Sequence, residues 1–271
     1  GERGIGVVVL SGRKAEPTLL LGRPHNDAAR RVAQYRLSTD PEFCLRFARA
    51  VVEAKLRAQS AFLAERRDEE PRSRYLLTLC LRRLESAIAA VDGAASPASL
   101  RGLEGNGAAA YFEGYADLLP ERLHFSCRNR RPPRDPVNAV LSLGYTLLHA
   151  EGVLALYGAG LDPFVGFYHA LDFGRESLAC DIVEPLRVEV DRHTLRLFRR
   201  ETLRPEDFSS ADGGCLLGKA GRARFYESWE PLAEKLRKLL DESIADVAQA
   251  VGQVGSIDPP PVGESAGEAC Q

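Results

Sequence analysis

Apolar residues recur every three or four positions along most of the chain, and only the first 24 residues alternate differently. Two short apolar runs, Ile5–Leu10 and Pro17–Leu21, flank a turn-like Ser-Gly-Arg-Lys and read as a hairpin at the end of a small sheet. Asn26 or Asp27 is placed to cap a helix carrying Arg30, Arg31, Gln34 and Tyr35. Thr39-Asp40-Pro41-Glu42 opens a long amphipathic helix to about Glu65, with an apolar stripe of Phe43, Phe47, Val51, Leu56, Phe62 and Leu63. A further helix is expected over 72–91. Ser96-Pro97 precedes LRGLEGNGAAAYFEGYADLL, whose small residues around Glu104 predict close helix packing. An Arg- and Pro-rich loop (120–134) separates it from a helix that Asp135-Pro136 starts and that runs to about Tyr157. The Gly-rich break at 158–163 leads to a short helix bearing His169. Leu178, Ile182, Leu186 and Val190 then predict a helix from 174 that continues to about Arg199. Residues 205–225 read as irregular or hairpin-like. A last amphipathic helix passes through Trp229, Leu232, Leu236, Leu239, Leu240 and Ile244. The expected fold is mainly α: a sheet remnant (1–24), a helical domain (25–251) and a polar, disordered tail (252–271).

Composition narrows this picture without changing it. The 271 residues are 45% hydrophobic and 27% charged, as in ordinary globular proteins. A formal net charge of −2 means that nucleic-acid contacts would use local patches. The six cysteines form no C-x-x-C pair, so reduced thiols in a cytoplasmic protein are expected. No apolar run approaches the ~18 residues of a membrane span, and no signal peptide opens the chain. The lack of methionine and a start inside a strand-like run suggest part of a longer polypeptide.

The chemistry of interest lies in LACDIVEPLR (178–187). Asp181 and Glu184 stand three apart, so on a helix they share a face. Such a pair suits a hard divalent cation, and Mn²⁺ also accepts imidazole from a residue such as His169. Glu104 is a third candidate carboxylate. Spacing alone favours a blander origin: solvated helix faces carry such acid pairs, lone histidines are often core residues, and Glu104 could pair with Arg101. Between Arg122 and Arg134 lie five arginines (122, 128, 130, 131 and 134) with no acidic residue, a phosphate-binding pattern that a solvated loop also produces. The arginines at 187–204 are interleaved with Glu189, Asp191 and Glu201, and ion pairs are expected for many of them. Lys219, Arg222 and Arg224 form a smaller patch. His25, His124, His149, His193, Tyr145 and Tyr157 read as structural or surface residues.

Several motifs in order carry a resemblance that spacing cannot supply. RRVAQYRL (30–37), LRGLEGNGAAAYF around Glu104, RNRRPPRDPVNAVLSLGYTLL (128–148), GLDPFVGFYHA (160–170), LACDIVEPLR and GKAGRARFYESWE (218–230) together resemble the CRISPR-associated protein one family, over roughly 4–250. The resemblance implies an N-terminal β domain and a C-terminal all-helical catalytic domain that binds Mg²⁺ or Mn²⁺ through Glu104, His169 and Glu184. Asp181 matches a further acidic position. The family's last ligand is often Asp; here Glu184 is one methylene longer. The implied activity is that of a DNA endonuclease and integrase, which inserts short foreign segments into a CRISPR array by 3′-hydroxyl transesterification. Implied partners are double-stranded DNA (prespacer and repeat), a second copy in a homodimer, a dimer of CRISPR-associated protein two, and in some relatives a fused adaptation protein or reverse transcriptase. Arg128, Arg130, Arg131, Arg187, Lys219 and Arg222 are the expected DNA contacts. Two other readings stay open: a general nuclease for branched DNA or repair intermediates, and a catalytically silent DNA-binding scaffold.

Overall fold

A computed structural model describes residues 7–11, 16–20, 27–129, 132–211 and 213–254. Strands β1 (Val7–Ser11) and β2 (Glu16–Leu20) pair antiparallel, with Val9 opposite Thr18. Among the described residues, the other regular elements are helices apart from one later hairpin. Helix α1 (Ala28–Ser38) is capped by Asp27, whose carboxylate accepts the Arg30 N–H at 2.9 Å. Asp40-Pro41 starts α2 (Pro41–Glu69) as expected, and α3 (Arg74–Ala89) returns beside it. A Ser96–Ser99 capping box and Pro97 start α4 (Pro97–Asp117). Asp135-Pro136 starts α5 (Pro136–Gly158), with the Asp135 carboxylate accepting from the Asn138 N–H at 2.8 Å.

Helices α2, α3 and α4 pack as one layer. The small residues of α4 allow it: a Cβ on Gly107 would stand 2.3 Å from Leu56 Cδ2, so α2 and α4 are closer there than a larger side chain permits. Leu56, Phe62, Leu63, Leu77, Leu84 and Leu100 are fully buried between them.

Helix α5 is the centre of the second half. It packs against α6 (Ser177–Val183), α7 (Arg187–Arg199) and α8 (Lys219–Val254), and against β4 of the hairpin β3 (Phe208–Ala211)–β4 (Gly214–Leu217). By length and composition α5 could cross a membrane, which the reading of apolar runs missed. Its apolarity has a core explanation: Val137, Val140, Leu141, Leu148, Val153 and Leu156 are buried against α6, α7 and α8.

Two expected helices differ. The segment from 174 to 199 is not continuous: α6 ends at Val183, and α7 begins at Arg187. Pro185 lacks the N–H that an uninterrupted helix needs, so the helical hydrogen-bond ladder is interrupted there although Glu184 itself keeps helical dihedrals. His169 lies in an irregular segment, 159–176, rather than on a helix. The expected tail falls outside the described residues from 255 onward.

The close α2–α4 contact gives a paired prediction. Gly107→Val should destabilise by about 1–3 kcal/mol through overpacking against Leu56. Gly102→Ala, whose Cβ meets nothing within 4 Å, should stabilise by roughly 0.5–1 kcal/mol. Urea denaturation of both variants measures the difference.

Candidate metal centre

The irregular segment 159–176 is held in place from several sides. Gln34 on α1 is buried; its side-chain amide donates to the Asp162 and Val165 carbonyls at 2.8 and 2.7 Å and accepts the Asp162 N–H at 2.8 Å. The Phe167 ring packs edge-on against Phe43 and Phe47 of α2, at centroid distances of 5.0 and 4.9 Å. This explains why an unremarkable-looking Gln in the first helix matters: it supplies backbone hydrogen bonds that irregular structure cannot make for itself.

Asp181 organises the end of that segment. Its side chain is fully buried, and its Oδ2 accepts from the Phe167 and Tyr168 N–H groups at 2.9 and 3.0 Å. Its Oδ1 accepts from the His169 N–H at 2.9 Å and meets His169 Nδ1 at 2.6 Å. Gly166 makes the approach possible, since a Cβ there would lie 2.8 Å from Asp181 Oδ2 and 2.7 Å from the Ser177 backbone carbon. Asp181 therefore faces the loop backbone and the imidazole. With Nδ1–H donating to this carboxylate, Nε2 is left as the ring's lone-pair nitrogen.

Glu104 (α4) and Glu184 (the C-cap of α6) converge on the ammonium of Lys55 from α2. Lys55 Nζ stands 2.5 Å from Glu104 Oε1 and 2.7 Å from Glu184 Oε2. The second oxygen of each acid is also engaged: Tyr168 O–H donates to Glu104 Oε2 at 2.6 Å, and Arg187 Nη2 pairs with Glu184 Oε1 at 2.9 Å. Burial pushes the Glu184 carboxyl up, but Arg187 and Lys55, with help from His169, outweigh it and hold it at about 2. Glu184 Oε2 is buried and, apart from the Lys55 contact, has no hydrogen-bond partner among the described residues. Also among the described residues, no three ligating side chains form a ready metal cluster, because an ammonium stands between the two acids. The donor set itself fits a hard cation: two carboxylates meet on one cationic centre.

A cavity of about 690 Å³ has Lys55, Gln59, Arg128, Tyr145, Arg187 and Asp191 in its wall, while Glu104, His169 and Glu184 are not among its lining residues. Arg128 donates to Asn138 Oδ1 at 2.8 Å and Ser142 Oγ at 3.0 Å, and it stacks over the Tyr145 ring. Arg187 stacks over the same ring, 5.0 Å from its centroid. The buried Asp191 carboxylate accepts from Tyr111 O–H at 2.8 Å and from Tyr145 O–H, tying α4, α5 and α7 together. Burial raises its carboxyl to about 6 against those bonds and the nearby arginines. Arg130 and Arg131 lie outside the described residues. Lys219 and Arg222 are exposed on the first turn of α8 and do not line this cavity. Arg192 and Arg199 are in ion pairs, but with Glu65 and Glu70 at the end of α2 rather than with the acids interleaved among them.

Lys55, Tyr168 and Asp191 are the contacts that sequence reading missed. Lys55 had a signal: positions 43, 47 and 51 step by four along the inward row of α2, and 55 and 59 are the next two places, a lysine and a buried glutamine. The depressed Glu184 carboxyl has a stability consequence. A group ordinarily near 4.5 but held near 2 contributes fully above pH 4.5 and loses that contribution as pH falls toward 2. The stability gap between wild type and Glu184→Gln, from urea titrations, should therefore shrink over this range by on the order of 3 kcal/mol.

Comparison with known proteins places the chain in a family. The sequence profile of the family described as CRISPR associated protein Cas1 matches residues 1–231. A CRISPR-associated endonuclease Cas1 of Thermodesulfovibrio yellowstonii is 39% identical over 257 residues, covering 92% of this chain and 79% of that protein. A Cas4 exonuclease/Cas1 endonuclease fusion of Geobacter sulfurreducens is 36% identical, covering 78% of this chain and 39% of the fusion. Among solved structures, a Cas6-RT-Cas1–Cas2 complex superposes with a TM-score of 0.82 at 27% identity, covering 94% of this chain and 29% of that one. The chain belongs to the CRISPR-associated Cas1 family.

Proposed function

We propose that this chain is a metal-dependent DNA endonuclease and integrase of CRISPR adaptation, with Glu104, His169 and Glu184 holding Mg²⁺ or Mn²⁺. The observation that carries this reading is the meeting of Glu104 and Glu184 on one cationic centre, with Glu104 also bonded to Tyr168, whose chain neighbour His169 is fixed by a buried carboxylate. A cation bound there would supply Lewis acidity to the attacking hydroxyl and to the phosphate under attack.

The protein's own residues do the rest. Asp181 holds His169 in the tautomer that leaves Nε2 free as a donor atom. Tyr168 orients Glu104, and Arg187 orients Glu184. Arg187 and Arg128, both backed by the Tyr145 ring, present guanidinium groups to the phosphate backbone along the cavity wall. No protein nucleophile is required, because a DNA 3′-hydroxyl attacks the phosphodiester and a DNA 3′-oxygen leaves. Such contacts read shape and charge, so binding should be sequence-tolerant and fall steeply with salt. As the family resemblance implies, the working assembly is a homodimer that engages duplex DNA and a dimer of Cas2. Fusions such as the Geobacter protein carry an additional Cas4 module.

Insertion of a duplex with a free 3′-hydroxyl into supercoiled plasmid, with Mn²⁺ and a Cas2 partner, is the direct test. Glu104→Ala, His169→Ala and Glu184→Ala should abolish insertion while gel-shift affinity for DNA persists. Asp181→Asn should lower metal affinity or activity by about 10–100-fold, as loss of an orienting partner does. Insertion that survives both acid substitutions overturns the assignment, and a wild type that only degrades DNA favours the general-nuclease reading.

A further inference from the structure

Lys55 occupies an unusual position for a lysine. It continues the inward-facing row of α2, only 13% of its side chain is exposed, and its ammonium touches one oxygen from each of two acids. Those are the two oxygens that remain once Tyr168 has taken Glu104 Oε2 and Arg187 has taken Glu184 Oε1. A cation drawing on both acids needs the oxygens that Lys55 now holds. Ammonium and metal therefore compete for the same pair.

We propose that Lys55 is a resident counter-ion that holds Glu104 and Glu184 together before metal binds, and that its displacement makes metal loading depend on DNA. This rests on the metal centre proposed above. The charge count supplies the reason. Lys55 and Arg187 balance the two acids, and the Asp181 carboxylate beside a neutral His169 brings the enclosed group to one negative charge. Adding a divalent ion alone turns this into one uncompensated positive charge in a poorly solvated place, which is costly. A DNA phosphate removes part of that excess. It also offers the released ammonium a new partner, because Lys55 already lines the cavity that Arg128 and Arg187 share. The four-carbon stem allows the swing without movement of α2. By linkage, DNA and metal then tighten each other's binding.

A Mn²⁺ titration followed by electron paramagnetic resonance tests this, using the whole chain with and without a duplex whose 3′ ends are dideoxy and cannot react. Without DNA, Lys55→Gln should bind Mn²⁺ more tightly than wild type, by between about 5- and 150-fold. DNA should tighten Mn²⁺ binding in wild type and much less in Lys55→Gln. Lys55→Met, which retains the apolar stem, should behave like Lys55→Gln and guards against a folding defect in either. Lys55→Arg keeps the charge and should keep the wild-type weakness. Unchanged or weaker Mn²⁺ binding in both folded neutral variants overturns the proposal, since a purely structural lysine would leave the acids misplaced. Glu184→Gln, measured with the duplex bound, separates the two levels: if wild type and Glu184→Gln then bind Mn²⁺ alike, the metal centre itself is misassigned. If Glu184→Gln loses binding while the Lys55 variants gain nothing, only the counter-ion role fails.

Discussion

A single buried carboxylate determines the shape of the site. Asp181 gathers three successive backbone N–H groups and an imidazole nitrogen, so the chain from Phe167 to His169 is folded around its two oxygens. Bonds from backbone N–H to a charged acceptor are stronger than neutral ones, and burial raises the cost of breaking them. This lets an irregular segment present a side chain as firmly as a helix would. Gln34 fixes the start of the same segment, and Phe167 fixes its apolar side. The site is thus a loop gripped at three points by α1, α2 and α6.

The acids approach this loop from separate directions. α4 can bring Glu104 near α2 because Gly107 lets the two helices close on Leu56. Glu184 arrives because α6 stops one residue earlier, and Pro185 turns the chain into α7. Asp191 and its tyrosines then tie α7 to α4 and α5, so the two acids are referenced to one frame. A charged cluster this enclosed persists because each oxygen of each acid meets a cation or a hydroxyl.

The starts of α2, α4 and α5 were readable, because Asp-Pro and Ser-Pro steps encode both a cap acceptor and a pre-set backbone angle at 40–41, 96–97 and 135–136, whereas α8 begins at Lys219, inside the stretch that reads as irregular or hairpin-like. Side-chain pairing was less readable. Asp181 and Glu184 share helical spacing, but one faces the 167–169 backbone and the other faces Lys55, since spacing says nothing about which neighbours lie on a shared face. The four-residue recurrence from Leu178 to Val190 hid a break, because residues on either side of a proline joint can bury toward one core. Lys55 and Gln59 continued the apolar row of α2 as polar residues, and only the packed α4 shows what they meet. The link between Glu104, His169 and Glu184 was accessible through family resemblance, not through any local pattern.

The central helix α5 carries a further implication. Its helical partners α6, α7 and α8 all follow it in the chain, so most of its apolar surface stays uncovered while the nascent polypeptide leaves the ribosome. Until the last helix is made, this segment is the stickiest part of the molecule and a natural target for chaperones. Shortening the chain before α8 would leave the side of α5 that α8 covers permanently bare, and the product would tend to aggregate.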